Sequence, residues 1–159
     1  MNNGNTNSPH HRITELPHLL QTAIEAALEA GKAILEIYHS NDFEIELKDD
    51  NSPLTKADVA SHNVIMSYLS KTAIPVLSEE GKAIPYEDRK NWKQLWIVDP
   101  IDGTKEFIKR NGEFTVNIAL IEDQKPQLGV IFVPVTGELY FSTKEAGAFK
   151  VSVDLENYN

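Results

Sequence analysis

Two aspartates three residues apart follow a continuous apolar run near the middle of the 159-residue chain. The run is Leu95-Trp96-Ile97-Val98, which is typical of a buried strand, and it leads into Asp99-Pro100-Ile101-Asp102-Gly103-Thr104. Hard divalent cations prefer oxygen ligands such as carboxylates, and the free N–H groups at the start of a helix bind anions. A strand that ends in two carboxylates and leads into a helix therefore indicates a metal and phosphate site.

The residues between and after the two aspartates make this pattern more specific than two acids alone. Pro100 fixes its own φ and disfavours a helical conformation at Asp99. Gly103 allows the backbone to turn, or to approach a ligand closely, where a side chain would clash. The simpler alternative is a tight loop in which Asp102 caps a helix that begins at Thr104.

Two other acidic positions are candidates for the same site. Glu79-Glu80 follows a short predicted strand, Pro75-Val76-Leu77, and strand ends on one edge of a sheet can bring distant carboxylates together. Asp58 lies at the start of a predicted helix. Taken alone, the glutamate pair is most simply a solvated turn, and Asp58 is most simply an acid that favours the helix dipole.

Helices and strands of ordinary length surround these residues. The segment Met1–Arg12 is polar and is predicted to be a disordered lead-in. Apolar spacing then predicts helices over Ile13–Tyr38 and Lys56–Ser70, and alternation predicts a strand over Phe43–Leu47. Beyond Gly112, apolar stretches separated by turn signals predict an antiparallel meander over Phe114–Ile121, Leu128–Val133, Glu138–Ser142 and Ala148–Val151. The fold class is therefore α+β, with helices packed on a mainly antiparallel sheet.

Composition excludes several classes of protein. The chain has 15 Lys+Arg against 24 Asp+Glu, a net charge of −9, which argues against nonspecific binding to nucleic acid. The absence of cysteine excludes disulfides, zinc–thiolate sites and cysteine nucleophiles. No apolar run is long enough for a transmembrane helix, and the first residues lack the pattern of a secretory signal. We therefore expect a cytoplasmic protein; the oligomeric state cannot be derived from these features.

Four segments together resemble the lithium-sensitive, magnesium-dependent phosphatases of the inositol monophosphatase superfamily: Pro53–Asp58, Leu77–Glu80, Trp96–Phe107 and Gly112–Leu120. The string Asp99–Thr104 matches the metal motif of that superfamily without a departure. Lys105-Glu106-Phe107 stands where the inositol phosphatases typically have Thr-Asn-Phe, and it resembles the bacterial CysQ branch, the 3'(2'),5'-bisphosphate nucleotidases. The resemblance implies that residues 13–159 form the N-terminal half of the layered αβαβα sugar-phosphatase fold.

The resemblance also implies a role for each candidate. Glu79, Asp99 and the backbone carbonyl of Ile101 are expected to ligate one magnesium ion, and Asp99 and Asp102 to hold a second. Thr104, together with Asp58, is expected to orient and deprotonate the attacking water.

Phosphate and substrate contacts are implied as well. The backbone N–H groups of Gly103 and Thr104 are expected to face the scissile phosphate. The substrate site is expected to be lined by Glu79, Ile101 and Asp102. Glu79 is also expected to take part in catalysis. Lys105 is the first choice for a charged contact with the substrate.

The implied reaction is hydrolysis of a phosphorylated adenosine nucleotide, 3'-phosphoadenosine 5'-phosphate, to AMP and phosphate. An inositol or other sugar monophosphatase is an alternative, against which Lys105-Glu106 argues. The superfamily also has a second αβ half with a Trp-Asp motif that supplies a further metal ligand, whereas here Trp92 precedes Lys93 and Trp96 precedes Ile97. We therefore expect that half to be absent from these 159 residues, and a noncatalytic metal-binding half domain is the other alternative.

Overall fold

Helices on one side of a sheet make up most of the computed structural model, which describes residues 9–40, 46–47 and 53–157. The long helix α1 spans Pro9–Ser40. The second helix, α2, spans Lys56–Leu69 and is followed by a 3-10 turn at Ser70–Thr72. Two short helices, α3 and α4, span Tyr86–Arg89 and Thr104–Lys109. None of the described helices combines the length and hydrophobicity needed to cross a bilayer.

Two sheets are present in the described residues. The small one pairs β1 (Glu46–Leu47) with β2 (Pro53–Leu54) antiparallel. The large one has six strands in sequence order: β3 Val76–Ser78, β4 Gln94–Asp102, β5 Thr115–Glu122, β6 Lys125–Val133, β7 Glu138–Thr143 and β8 Gly147–Ser152. Strands β3 and β4 are parallel and the remaining neighbours are antiparallel. The predicted α+β class and the antiparallel meander are confirmed.

Some predicted boundaries differ from those observed. Residues 9–12, assigned above to the disordered lead-in, belong to α1, and residues 1–8 lie outside the described part of the chain. The strand predicted over Phe43–Leu47 is described only at its last two residues. Strand β4 continues through Asp102, four residues beyond the apolar run that predicted it, because its polar end still pairs with β5.

The core lies between the two long helices and one face of the large sheet. Helix α1 packs against β5 and β6, and α2 packs against β4. Along β4, Trp96 and Val98 are buried on the helix side, whereas Ile97 between them is 43% exposed on the other side. The sheet therefore buries one face against helices and leaves the opposite face open.

Gly31 marks the point of closest approach between α1 and the sheet. A Cβ atom at this position would lie 2.4 Å from the Phe132 ring in β6, so no larger residue fits without a shift. The buried alanines Ala23, Ala27 and Ala30 of the same helix also keep it close to the sheet. A glycine that helix propensity disfavours is thus required by packing.

Candidate active site

Parallel pairing of β3 with β4 brings Glu79 beside Asp99. Ser78 is in register with Val98, and the Glu79 N–H donates to the Val98 carbonyl at 3.0 Å. Residues 79 and 99 therefore follow equivalent positions of adjacent strands. The expectation that strand ends would bring these two acids together agrees with this geometry.

Asp99 lies in an environment that disfavours its charged form. Burial is the largest cause, followed by the negative charges of Glu79 and Asp102, and together they raise the pKa of Asp99 to about 7. Asp99 Oδ1 is also the only buried side-chain oxygen or nitrogen without a hydrogen-bond partner in the described residues. A buried carboxylate oxygen in this state lacks a cation or donor that would stabilise its charge.

A bulge in β4 separates Asp99 from Asp102. Asp99 pairs with Asn117 of β5, and the next pair of the ladder is Asp102 with Thr115, so residues 100 and 101 have no partner in that ladder. Such bulges redirect side chains at functional edges of sheets. Asp102 Oδ2 accepts a hydrogen bond from the Asn117 side-chain amide at 3.2 Å. The alternative in which Asp102 caps α4 is wrong, because the N-cap is Gly103 and no side chain caps this helix.

Gly103 occupies backbone space that other residues cannot. Its φ is +103°, and a Cβ atom there would lie 2.9 Å from the Glu113 carbonyl oxygen. Both the left-handed conformation and the close contact exclude a side chain. The turn that delivers Thr104 therefore depends on glycine, as the sequence predicted.

Asp58 joins the start of α2 to the start of α4. Thr55 is the N-cap of α2, and Asp58 Oδ2 accepts from both the Thr55 N–H (2.8 Å) and its hydroxyl (2.6 Å). Asp58 Oδ1 accepts from the Thr104 hydroxyl at 3.0 Å. Asp58 is completely buried. One carboxylate thus completes a capping box and binds the candidate catalytic hydroxyl, so it does more than favour the helix dipole.

The donor set fits a divalent cation. Bound magnesium would be held by Glu79, Asp99, Asp102 and the Ile101 carbonyl, and the partnerless Asp99 Oδ1 is the atom that most needs such a partner. Within the described ranges, no group of three acidic or histidine side chains converges into a complete metal site.

The three basic residues of α4 and its C-cap have different environments. Lys105 is exposed in the first turn. Lys109 pairs with Glu106 at 3.4 Å, and the Arg110 guanidinium donates to the Tyr38 carbonyl and lies over the Tyr38 ring. Lys105 is therefore the basic side chain best placed to contact a ligand, since the other two are engaged within the fold.

Three residues around the site were not predicted from the sequence. Ser61 and His62 of α2 contact the segments that carry the acids, and Asn117 binds Asp102. A helical projection would have found the first two, because they follow Asp58 by three and four residues. Asn117 is a polar residue between the buried Val116 and Ile118 of β5, and it lies on the open face of the sheet, where it lines the cleft with the acids.

A broad cleft of about 630 Å³ extends from the acids across the open face of the sheet. Glu79, Asp99 and Asn117 form its polar end. The rest of its lining is largely apolar and includes Leu77, Ile97, Ala119, Gly129 and Ile131.

Comparison with known proteins gives consistent matches. Residues 15–158 match the inositol monophosphatase family. The chain is 50% identical over 135 residues to the 3'(2'),5'-bisphosphate nucleotidase CysQ of Shigella flexneri, a match that covers 83% of this chain and 54% of the relative.

Solved structures agree with this. The crystal structure of CysQ from Bacteroides thetaiotaomicron, a bacterial member of the inositol monophosphatase family, superposes with a TM-score of 0.77 at 55% identity, covering 87% of this chain and 50% of that one. The 2'AMP-bound SaIMPase-II is 28% identical with a TM-score of 0.67, covering 84% of this chain and 47% of that one. The chain thus spans about half the length of the curated relatives it matches.

Proposed function

The chain belongs to the inositol monophosphatase family, and we propose that it forms the metal- and phosphate-binding part of a magnesium-dependent phosphomonoesterase acting on 3'-phosphoadenosine 5'-phosphate. The products are AMP and inorganic phosphate. The observation that carries the proposal is the Thr104–Asp58 hydrogen bond, in a fold that also buries Asp99 Oδ1 without a hydrogen-bond partner. A hydroxyl held by a buried carboxylate can orient a water molecule, and an unsatisfied carboxylate can hold a cation, so together they are suited to hydrolysis assisted by a cation.

Glu79, Asp99, Asp102 and the Ile101 carbonyl are the proposed ligands. When bound, magnesium supplies positive charge that lowers the pKa of water and neutralises a phosphate. Because burial and the charges of Glu79 and Asp102 raise the pKa of Asp99, its carboxyl holds a proton more readily than an ordinary aspartate does, and a bound cation would displace that proton.

Thr104 and Asp58 are proposed to orient the attacking water and accept its proton. The Thr104 hydroxyl has one hydrogen, which it donates to Asp58 Oδ1 at 3.0 Å in preference to the Ile101 carbonyl at 3.4 Å. Its oxygen lone pairs can therefore accept a hydrogen bond from water. As the water attacks, its proton passes to Thr104 Oγ1 while the Thr104 proton passes to Asp58.

The turn at Gly103 is proposed to hold the phosphate. Gly103 gives the backbone a left-handed turn that packs against Glu113, and this turn is proposed to present the backbone N–H groups of Gly103 and Thr104 to the substrate phosphate. The exposed Lys105 ammonium adds positive charge next to this turn. These groups bind and orient the phosphate for in-line attack.

The preference for a bisphosphate nucleotide rests on similarity. The relative from Shigella flexneri carries that activity in its name, and Lys105-Glu106 follows the phosphate turn in this chain. Because the chain spans about half of that relative, the activity is proposed for a protein that also contains the remaining length.

A noncatalytic metal-binding half domain is the second candidate. It is favoured by the finding that the chain spans about half the length of the curated relatives it matches. In this case the chain would bind magnesium weakly and release no phosphate.

A phosphate-release assay with two substrates separates the candidates. The 159-residue chain, and a longer protein in which it is followed by the remaining sequence of a CysQ relative, are each given 3'-phosphoadenosine 5'-phosphate and inositol 1-phosphate with magnesium. We expect the longer protein to prefer the nucleotide. Preference for inositol phosphate would favour the sugar phosphatase, and no release by either protein would favour the noncatalytic half domain.

A further inference from the structure

One face of α2 contacts three separate segments of the candidate site. Asp58 accepts from Thr104, Ser61 donates to the Pro100 carbonyl, and His62 bonds the Ser78 hydroxyl. Residues three and four positions after Asp58 share its face of the helix. The roles proposed above use Asp58 and leave Ser61 and His62 without a function.

Ser61 provides the partner that the bulge in β4 removes. Pro100 lies between the paired residues Asp99 and Asp102, where the ladder with β5 is interrupted. The fully buried Ser61 hydroxyl donates to the Pro100 carbonyl at 2.8 Å. Since a buried carbonyl needs a donor, this bond fixes the peptide between the two proposed ligands Asp99 and Ile101.

His62 holds the other acidic segment. Its Nδ1 lies 2.9 Å from Ser78 Oγ, and its ring lies 3.8 Å from the position of a Cβ at Gly81. The Gly81 N–H donates to the Ser78 carbonyl at 3.1 Å, and this hydrogen bond closes the turn that carries Glu79. The turn packs against the imidazole of His62. The residue before Glu79 is thereby tied to α2.

We infer that Ser61 and His62 are positioning residues that set the spacing between the Glu79 and Asp99 carboxylates for a divalent cation. Ser61 hydrogen-bonds the segment that carries Asp99, and His62 hydrogen-bonds the segment that carries Glu79. Neither Ser61 nor His62 is among the proposed ligands. A small cation tolerates little change in the spacing of its oxygen ligands, so the loss of either hydrogen bond should weaken binding of the cation. The inference rests on the metal-binding part of the proposed function.

The test measures Mn²⁺ binding to the 159-residue chain from the electron paramagnetic resonance signal of the free ion. We expect Ser61→Ala and His62→Leu each to raise the half-saturating Mn²⁺ concentration about tenfold. His62→Asn places a polar atom near the position of Nδ1, and we expect it to restore most of the affinity. Circular dichroism and thermal unfolding without metal establish that each variant is folded.

Matched controls come from the same two long helices. Ser67→Ala removes an exposed hydroxyl of α2 that bonds only the nearby Val64 carbonyl, and His18→Leu removes an exposed imidazole of α1. Neither substitution should change Mn²⁺ affinity. If Ser61→Ala does not fold, the His62 pair decides the result, because His62 is partly exposed.

In the longer protein, the same variants should raise the magnesium concentration for half-maximal rate and lower kcat, with the nucleotide KM unchanged. Folded Ser61→Ala and His62→Leu variants with wild-type Mn²⁺ affinity would overturn the inference while leaving the proposed function intact. Equal loss in His62→Asn and His62→Leu would also overturn it. Absence of Mn²⁺ binding by the wild type would overturn the metal assignment and the inference together. The expected Mn²⁺ pattern without nucleotide hydrolysis would support positioning and contradict the proposed substrate.

Discussion

The Thr104 hydroxyl lies 3.0 Å from Asp58 Oδ1, although 46 positions separate the two residues in the chain. Each residue belongs to the first turn of a different helix, and Asp58 is also held by the N–H and hydroxyl of Thr55. The carboxylate is therefore fixed before a substrate binds, and it fixes the hydroxyl in turn. This preorganisation is what a residue that accepts a proton from water requires.

Removing the Thr104 hydroxyl should abolish most of the proposed proton transfer. We expect Thr104→Val to lower kcat of the longer protein by about 100-fold or more, the usual contribution of a positioned acid or base. Because Asp58 acts through Thr104, adding Asp58→Asn should lower kcat by much less than the product of the single effects. Thr22→Val, which removes an exposed hydroxyl on α1, is the matched control. Multiplicative effects would show that the two residues do not act together.

Asp99 is expected to be the most important metal ligand. Asp99→Asn should leave the longer protein folded and remove nearly all turnover, since both proposed metals lose a charged oxygen. The control is Asp123→Asn, in an exposed turn where residue 123 has a positive φ that asparagine also tolerates. Retention of more than about a tenth of the wild-type rate, roughly 1.4 kcal/mol in the barrier, would contradict the assignment.

The raised pKa of Asp99 predicts how stability depends on pH in the absence of metal. Because the pKa is about 7 in the folded state and 3.8 ordinarily, the folded protein binds this proton more tightly than the unfolded chain. The free energy of unfolding should therefore decrease as pH rises from about 4 to 7, and level off above that. Since Asp99 remains partly exposed, we expect a change on the order of 1–2 kcal/mol from this group.

Denaturant unfolding in EDTA at several pH values measures this dependence. Asp99→Asn should flatten the decrease and leave the variant more stable than the wild type at pH 8, whereas Asp123→Asn should retain it. An identical pH profile in the wild type and Asp99→Asn would show that other groups cause the dependence.

Lys105 and Glu106 are expected to contribute to substrate selection. Replacing them with the residues typical of inositol phosphatases, Lys105→Thr with Glu106→Asn, should reduce the ratio of kcat/KM for the nucleotide over inositol phosphate by roughly tenfold. Glu106 also pairs with Lys109, so Lys109→Ala separates the loss of that ion pair from a change in selectivity. An unchanged ratio in the double variant would place selectivity outside this chain.

Local patterns in the sequence predicted the elements that carry the site. The apolar run before Asp99 identified a buried strand, Gly103 identified a turn, and the motif Asp99–Thr104 identified the acids. The predictions of the strand and of the turn succeeded because strand periodicity and the φ restrictions of proline and glycine act within a few residues. The start of α1 at Pro9 was missed, since a polar segment gave no apolar spacing from which to extend the helix.

The sequence by itself determined the kinds of groups available: the three acids Glu79, Asp99 and Asp102, a hydroxyl at Thr104 and a glycine turn before it. Only the tertiary structure decided how they meet. Parallel pairing of β3 with β4 brings Glu79 to Asp99, and packing of α2 on β4 brings Asp58 to Thr104 and Ser61 to Pro100. The physical reason is that the burial of Asp99 and the nearby negative charge of Glu79, which both raise its pKa, arise from contacts between segments that are distant in the chain.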